Sequence, residues 1–269
     1  MSQFLELHRG TAPLVVAFPH TGTEIPPELE YAFISPWLAH KDADWWIHQL
    51  YGFAHELGAT TIRTRLSRSV IDCNRDPSGA SLYPGQATTG LCPFETFDGE
   101  PLYFGPEPDA AEIARRRTSY FEPYHAALRA ELERLRSIHP RVILYDAHSI
   151  RSHIPRLFDG ELPQFNIGTN GGTTCAPDLI EAVTSICAAS GYSHVLDGRF
   201  RGGWTTRHYG RPAEHIHAIQ MELATRGYMD EPSKPQPENW PTSLHSAPAI
   251  LPTLRQVLEA CLTFAKENT

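Results

Sequence analysis

The chain has 269 residues, of which 41% are hydrophobic and 20% charged, a composition that excludes collagen-like, coiled-coil and wholly disordered chains. Its 31 acidic residues outnumber 23 basic ones, and the formal net charge of −8 opposes binding to nucleic acid. No apolar run approaches the roughly 20 residues of a membrane span, and the start Met1-Ser2-Gln3-Phe4-Leu5-Glu6 lacks a signal-peptide pattern, so a cytoplasmic protein with no membrane partner is expected.

In chain order, Leu14-Val15-Val16-Ala17-Phe18 predicts a buried strand that stops at the turn-forming Pro19-His20-Thr21-Gly22. Apolar residues at helical spacing predict a helix from Asp42 to Leu57, stopped by Gly58, with Asp44 in its first turn. Short strands are expected at Thr60–Thr64 and Ser69–Asp72, followed by a Gly/Pro-rich loop from Asp76 to Pro108. A helix from Asp109 to Ser137 should be kinked or divided at Pro123, with Arg115-Arg116-Arg117 facing solvent. Arg141 to Asp146 reads as a buried strand running into Ala147-His148-Ser149, so that a second histidine ends a second strand. Further strands are expected at Gln164–Gly168 and His215–Glu222, helices near Pro177–Ser190 and Ile250–Lys266, and a surface linker over 231–248. Strands alternating with helices imply an α/β three-layer sandwich with a mixed, largely parallel central sheet, in one domain spanning residues 1–269. Ligands bind such sheets beyond the carboxyl ends of the strands.

A chain of this length hides about 73% of its extended surface on folding and needs no metal for stability alone, so any metal here should be functional. The five cysteines are scattered and never spaced C-x-x-C, which argues for reduced, structural thiols. Histidine is the more telling residue. His20 and His148 both end apolar strands on what should be one rim, and Asp42, Asp44, Glu24 and Asp146 lie close by in sequence as oxygen donors. Two histidines and one carboxylate suit a catalytic zinc, which leaves a position for water. Glu222, ending a third apolar strand, is the candidate general base. Arginines cluster in loops, at Arg63, Arg65, Arg68 and Arg75 and again at Arg199, Arg201, Arg207 and Arg211, which fits a small anionic substrate.

Five segments, Pro19-His20-Thr21-Gly22, Asp42-Ala43-Asp44-Trp45, Ser67 to Arg75, Asp146-Ala147-His148-Ser149 and Gln220-Met221-Glu222-Leu223, resemble signatures of the N-formylglutamate amidohydrolase family. Tyr83-Pro84-Gly85-Gln86, Phe97-Asp98-Gly99, Leu157 to Gly160, Gly168 to Gly172, Gly202 to Gly210 and Tyr228 to Glu231 extend the likeness over roughly residues 10 to 231. The resemblance implies hydrolysis of N-formyl-L-glutamate to formate and L-glutamate, the last step of one histidine-degradation route, on a fold similar to zinc exopeptidases. It implies one divalent metal, zinc with cobalt or manganese as alternatives, held by His20, Asp44 and His148. Asp44 is favoured over Glu24 because its motif matches the family. Glu222 is then the base, and Arg75 and Arg207, followed by Arg68 and Asn74, are the candidates for the substrate carboxylates. Asp146 or His208 would orient ligands from behind. The alternatives are another N-acyl-amino-acid amidohydrolase, of desuccinylase or aspartoacylase type, and a catalytically silent protein that binds an acidic amino acid.

Overall fold

The structure, a computed structural model, describes residues 4–82, 85 and 88–267. Tyr83, Pro84 and Gln86 of one matched motif, and Met1 to Gln3, lie outside the described residues.

Seven strands form one sheet: β1 (Leu5–His8), β2 (Leu14–Phe18), β3 (Thr60–Thr64), β4 (Val142–Ile150), β5 (Phe165–Gly168), β6 (His194–Leu196) and β7 (Ile216–Ala224), in the order β1-β3-β2-β4-β7-β5-β6. β3, β2, β4 and β7 run parallel, as do β5 and β6, while β1 and β5 pair antiparallel with β3 and β7. The helices are α1 (Pro27–Glu30), α2 (Pro36–His40), α3 (Ile47–Leu50), α4 (Ala110–Arg116), α5 (Glu122–Arg136), α6 (Pro177–Ala189), α7 (Trp204–Tyr209) and α8 (Leu251–Lys266).

Alternation along the central strands divides the core into two layers. Leu14, Val16, Phe18, Ile143, Tyr145, Ile219 and Met221 point to one face and pack against α3, α6 and α8. Val15, Ala17, Val142, Leu144, Ile216 and Ala218 point to the other, where α5 supplies Tyr124, Leu128, Leu132 and Leu135. The sheet is therefore buried on both sides, as the near-continuous apolar runs of β2 and β4 predict. All five cysteines are buried and free. Among the described residues no helix is long and apolar enough to cross a membrane.

Several expectations are corrected. The helix expected from Asp42 to Leu57 is only α3 and a 3-10 turn at Gly52–His55, because Trp46 takes a left-handed conformation (φ 59°) that no continuous helix accepts. Asp44 consequently lies before α3 and not in its first turn. Ser69–Asp72 is not a strand: Gly22 and Ser67 make an isolated bridge, and the chain then turns through residues 68–70. A Cβ on Gly22 would overlap the backbone of Arg65 and Leu66, so this close approach requires glycine. The long helix is interrupted as Pro123 demands, by a π-helical turn at Arg117–Phe121 that precedes α5 and absorbs the missing N–H. Arg116 does not face solvent; it is buried, donating to Glu112, to the Val70 carbonyl and to the Tyr103 hydroxyl. β4 and β7 each run further than expected, to Ile150 and Ala224, so His148 lies within its strand rather than just past it and Glu222 is an interior residue rather than the last one of its strand.

Leu128 of α5 is wholly buried against β2 and β4. Leu128→Ala should lower the unfolding free energy in urea by about 2–5 kcal/mol. A loss under about 1 kcal/mol would mean that the α5 face is not close-packed.

Candidate active site

The site lies at the carboxyl ends of three adjacent parallel strands. β2 ends at Phe18 and delivers His20, while β4 and β7 pair so that His148 stands directly opposite Glu222. Asp146 and Gln220, two residues earlier in the same strands, are likewise paired and share that face of the sheet. Asp44 is brought in by its backbone N–H, which donates to the His20 carbonyl, and its Oδ2 accepts the Ser149 N–H at 3.1 Å.

His20, Asp44 and His148 are all buried, and each offers a ligand atom within 4.8 Å of the others. His148 Nδ1 is 3.0 Å and His20 Nδ1 3.9 Å from Asp44 Oδ2. The far nitrogens are engaged elsewhere: His20 Nε2 lies 2.6 Å from Asp72 Oδ1, and His148 Nε2 lies 3.1 Å from Asp146 Oδ1. Two imidazoles with Nδ1 turned to a common point and Nε2 backed by carboxylates form the donor set that a divalent cation prefers. Asp44 Oδ1 is buried without a hydrogen-bond partner, an acceptor that a cation would satisfy. The residues therefore fit a metal ion. Glu24 stands outside this group, half-exposed and paired with Arg65 at 3.1 Å.

The electrostatics follow from burial among opposed charges. Burial, reinforced by Arg68, lowers His20 to about 4, which keeps its ring neutral as a metal ligand must be. Burial also opposes charge on His148, but Asp146 and Asp44 on either side outweigh it and raise that ring well above its ordinary value. Burial would raise Asp72, yet Arg75, His20 and Arg68 hold it well below the usual carboxylate range. Glu222 is pushed up to about 8, chiefly by burial against the opposing pull of His148. A carboxyl poised so near neutrality suits proton transfer.

Glu222, His20 and His148 line a narrow cavity of about 70 Å³ together with Arg68, Asn74, Arg75, Arg199, Gln220 and the apolar Phe97, Ile150, Leu157 and Phe200. Arg68 is buried, bonded to Asp72 at 2.7 Å and stacked 4.8 Å over the Phe97 ring. Asn74 accepts from the Thr205 N–H and reaches Asp146 Oδ2 at 3.3 Å and His148 Nε2 at 2.9 Å with its amide nitrogen. Gly203 packs so closely on the Asn74 amide that a Cβ there would overlap it. Arg75 reaches the carbonyl and hydroxyl of Thr89. Arg207 stands outside this lining and donates to the carbonyls of Gly202 and Leu82. Of the two residues considered for orienting ligands, Asp146 is at His148, whereas His208 is stacked on Trp204 with centroids 4.1 Å apart and touches none of the cluster.

Two residues of the site received no role from the sequence: Asp72 backs His20, and Gln220 donates to Glu222 Oε2 at 3.1 Å while accepting the Gly203 N–H. Arg199, noted only as one of the loop arginines, lines the cavity. Gln220 was detectable, since a polar residue two positions before Glu222 in a strand must share its face.

A family model described as N-formylglutamate amidohydrolase matches residues 12–229. The chain is 45% identical over 270 residues to N-formylglutamate deformylase of Pseudomonas aeruginosa (strain PAO1), covering 100% of this chain and 99% of the relative, and equally to that of Pseudomonas putida. A crystal structure of N-formylglutamate amidohydrolase from Ralstonia eutropha JMP134 superposes with a TM-score of 0.77 at 24% identity over 97% of each chain. A structure from Agrobacterium tumefaciens gives 0.73 at 15% identity, covering 99% of this chain and 97% of its own. These two share the fold. With the model spanning most of its length and the two Pseudomonas relatives matching it end to end, the chain belongs to the N-formylglutamate amidohydrolase family.

Proposed function

We propose that this chain is a zinc-dependent cytoplasmic enzyme, a single amidohydrolase domain of zinc-exopeptidase type, that hydrolyses N-formyl-L-glutamate to formate and L-glutamate at the end of a histidine-degradation route. The observation that carries the reading is the buried His20, Asp44 and His148 group, whose two histidines line one cavity together with Glu222 and three arginines. The activity in the names of the 45% identical relatives supports the same substrate. Zinc suits two imidazoles and a carboxylate, and cobalt or manganese would also be accepted.

When bound, the cation supplies Lewis acidity that polarises the formyl carbonyl and makes water nucleophilic near neutral pH. Glu222 takes the proton from the attacking water and delivers it to the departing amine nitrogen. Gln220 holds Oε2 of Glu222 and so fixes the direction from which the carboxylate acts. Arg68, Asn74 and Arg75 receive the substrate carboxylates, with Arg199 at the cavity in the position for which the sequence suggested Arg207. Arg207 contributes by holding the Leu82 and Gly202 carbonyls. The narrowness of the cavity favours formyl over acetyl or succinyl groups.

Purified protein should release formate from N-formyl-L-glutamate, lose that activity on chelation and regain it with zinc. Chelator-resistant turnover would remove the metal from the mechanism, and faster turnover of acetyl- or succinyl-glutamate would move the reading to another N-acyl-amino-acid amidohydrolase. Glu222→Gln should lower kcat by about 10²–10⁴-fold while zinc content stays unchanged; undiminished turnover would eliminate Glu222 as the base. Glu222 must be ionised to accept a proton, so activity requires a pH above its pKa. The raised value of about 8 is drawn down by a bound cation, and the acid limb of kcat/KM should therefore have its midpoint below 8 but above the ordinary carboxyl value of about 4.3. A limb centred below that ordinary value would contradict the assignment.

A further inference from the structure

Asp72 is fully buried between the metal-binding and anion-binding parts of the site. Its Oδ1 lies 2.6 Å from His20 Nε2 and accepts the Asn74 N–H at 2.8 Å. Its Oδ2 accepts from Arg68 Nη2 at 2.7 Å, and Arg75 Nε stands 3.6 Å away. A carboxylate taken wholly out of water is costly unless donors saturate its oxygens. Here each of those donors belongs to a residue with a candidate role in holding metal or substrate.

We infer, on the basis of the metal reading above, that Asp72 is a positioning residue that couples the two parts of the site, setting the His20 tautomer with one oxygen and the Arg68 guanidinium with the other. An ionised carboxylate only accepts hydrogen bonds, so the His20 proton sits on Nε2 and the Nδ1 lone pair faces Asp44 and His148. The same group holds Arg68 above Phe97 at the cavity wall. Because one buried carboxylate serves both, a change in metal binding at His20 is felt at Arg68, and the converse holds for binding free energies.

Asp72→Asn tests this, since an amide has one acceptor oxygen and one donor nitrogen and cannot serve both His20 and Arg68. Zinc affinity, measured by competition with a chromogenic chelator, should fall about 10- to 100-fold. KM for N-formyl-L-glutamate should rise about tenfold. Arg68→Met should raise KM and, because it leaves one Asp72 oxygen without its guanidinium partner, should also shift zinc affinity by a smaller factor than Asp72→Asn does; unchanged zinc affinity would break the coupling, and Leu128→Ala, destabilised at a distance, should move neither quantity. Wild-type zinc affinity and KM in Asp72→Asn would overturn the inference. If that variant does not fold, the long-range ¹H–¹⁵N histidine spectrum of the zinc-loaded wild-type protein decides: a protonated Nε2 with metal on Nδ1 of His20 is expected, and metal on Nε2 overturns it. Failure of the metal reading itself is separately visible, because wild-type protein would then take up no zinc before any variant is made.

Discussion

Parallel pairing of β2, β4 and β7 is the constraint on which the site depends. Three neighbouring strands running the same way end at the same rim, so whatever follows or closes each of them converges there. Residues 20, 148 and 222 are far apart in the chain, yet the ladder leaves them no other place. The register is equally strict, because a slip of one residue between β4 and β7 would turn Glu222 to the opposite face and bring Met221 or Leu223 opposite His148. Apolar burial on both faces of the sheet holds that register, with α6 and α8 on one side and α5 on the other.

The rim is expensive to build in an apolar fold. Asp44, Asp72, Asp146, His20, His148, Arg68 and Glu222 are all buried, and burial alone opposes the charge on each. What makes the cluster tenable is mutual compensation: Asp72 against His20 and Arg68, Asp146 and Asp44 against His148, and backbone N–H groups of Asn74 and Ser149 on the carboxylates. Glu222 is the member with least compensation, its carboxyl held among the described residues by Gln220 alone, and it is accordingly the carboxyl whose proton affinity rises toward neutrality. Glu222 and the His20, Asp44 and His148 group thus differ in proton affinity because their surroundings differ, although their residue types overlap.

Much of the fold is legible locally. The apolar runs of β2 and β4 and the spacing in α6 and α8 carry their own signal, and Pro123 marks the break before α5 by lacking an N–H. The failures have physical reasons. β4 continues through Asp146 and His148, polar residues that break the apolar pattern but are kept in the strand by nine paired positions on β7. Trp46 interrupts a convincing helical spacing because the Tyr228 hydroxyl holds the Trp45 carbonyl and the Asp44 N–H is held by His20, contacts from distant segments that dictate the local backbone.

The sequence by itself determined that two histidines and a glutamate lie toward the carboxyl ends of apolar strands, that arginines gather in loops beside them, and that an α/β sandwich would bring those ends together, since these follow from local periodicity and composition. Which carboxylate stands between the histidines was decided only by tertiary structure. Asp44 and Glu24 are both close to His20 in the chain, but the Asp44 N–H to His20 carbonyl bond turns Asp44 inward while Glu24 faces solvent and Arg65. The same holds for the arginines, where Arg199 rather than Arg207 lines the cavity, and for Asp72, whose two oxygens join residues 20 and 68. Side-chain direction after a turn depends on long-range contacts that spacing along the chain does not encode.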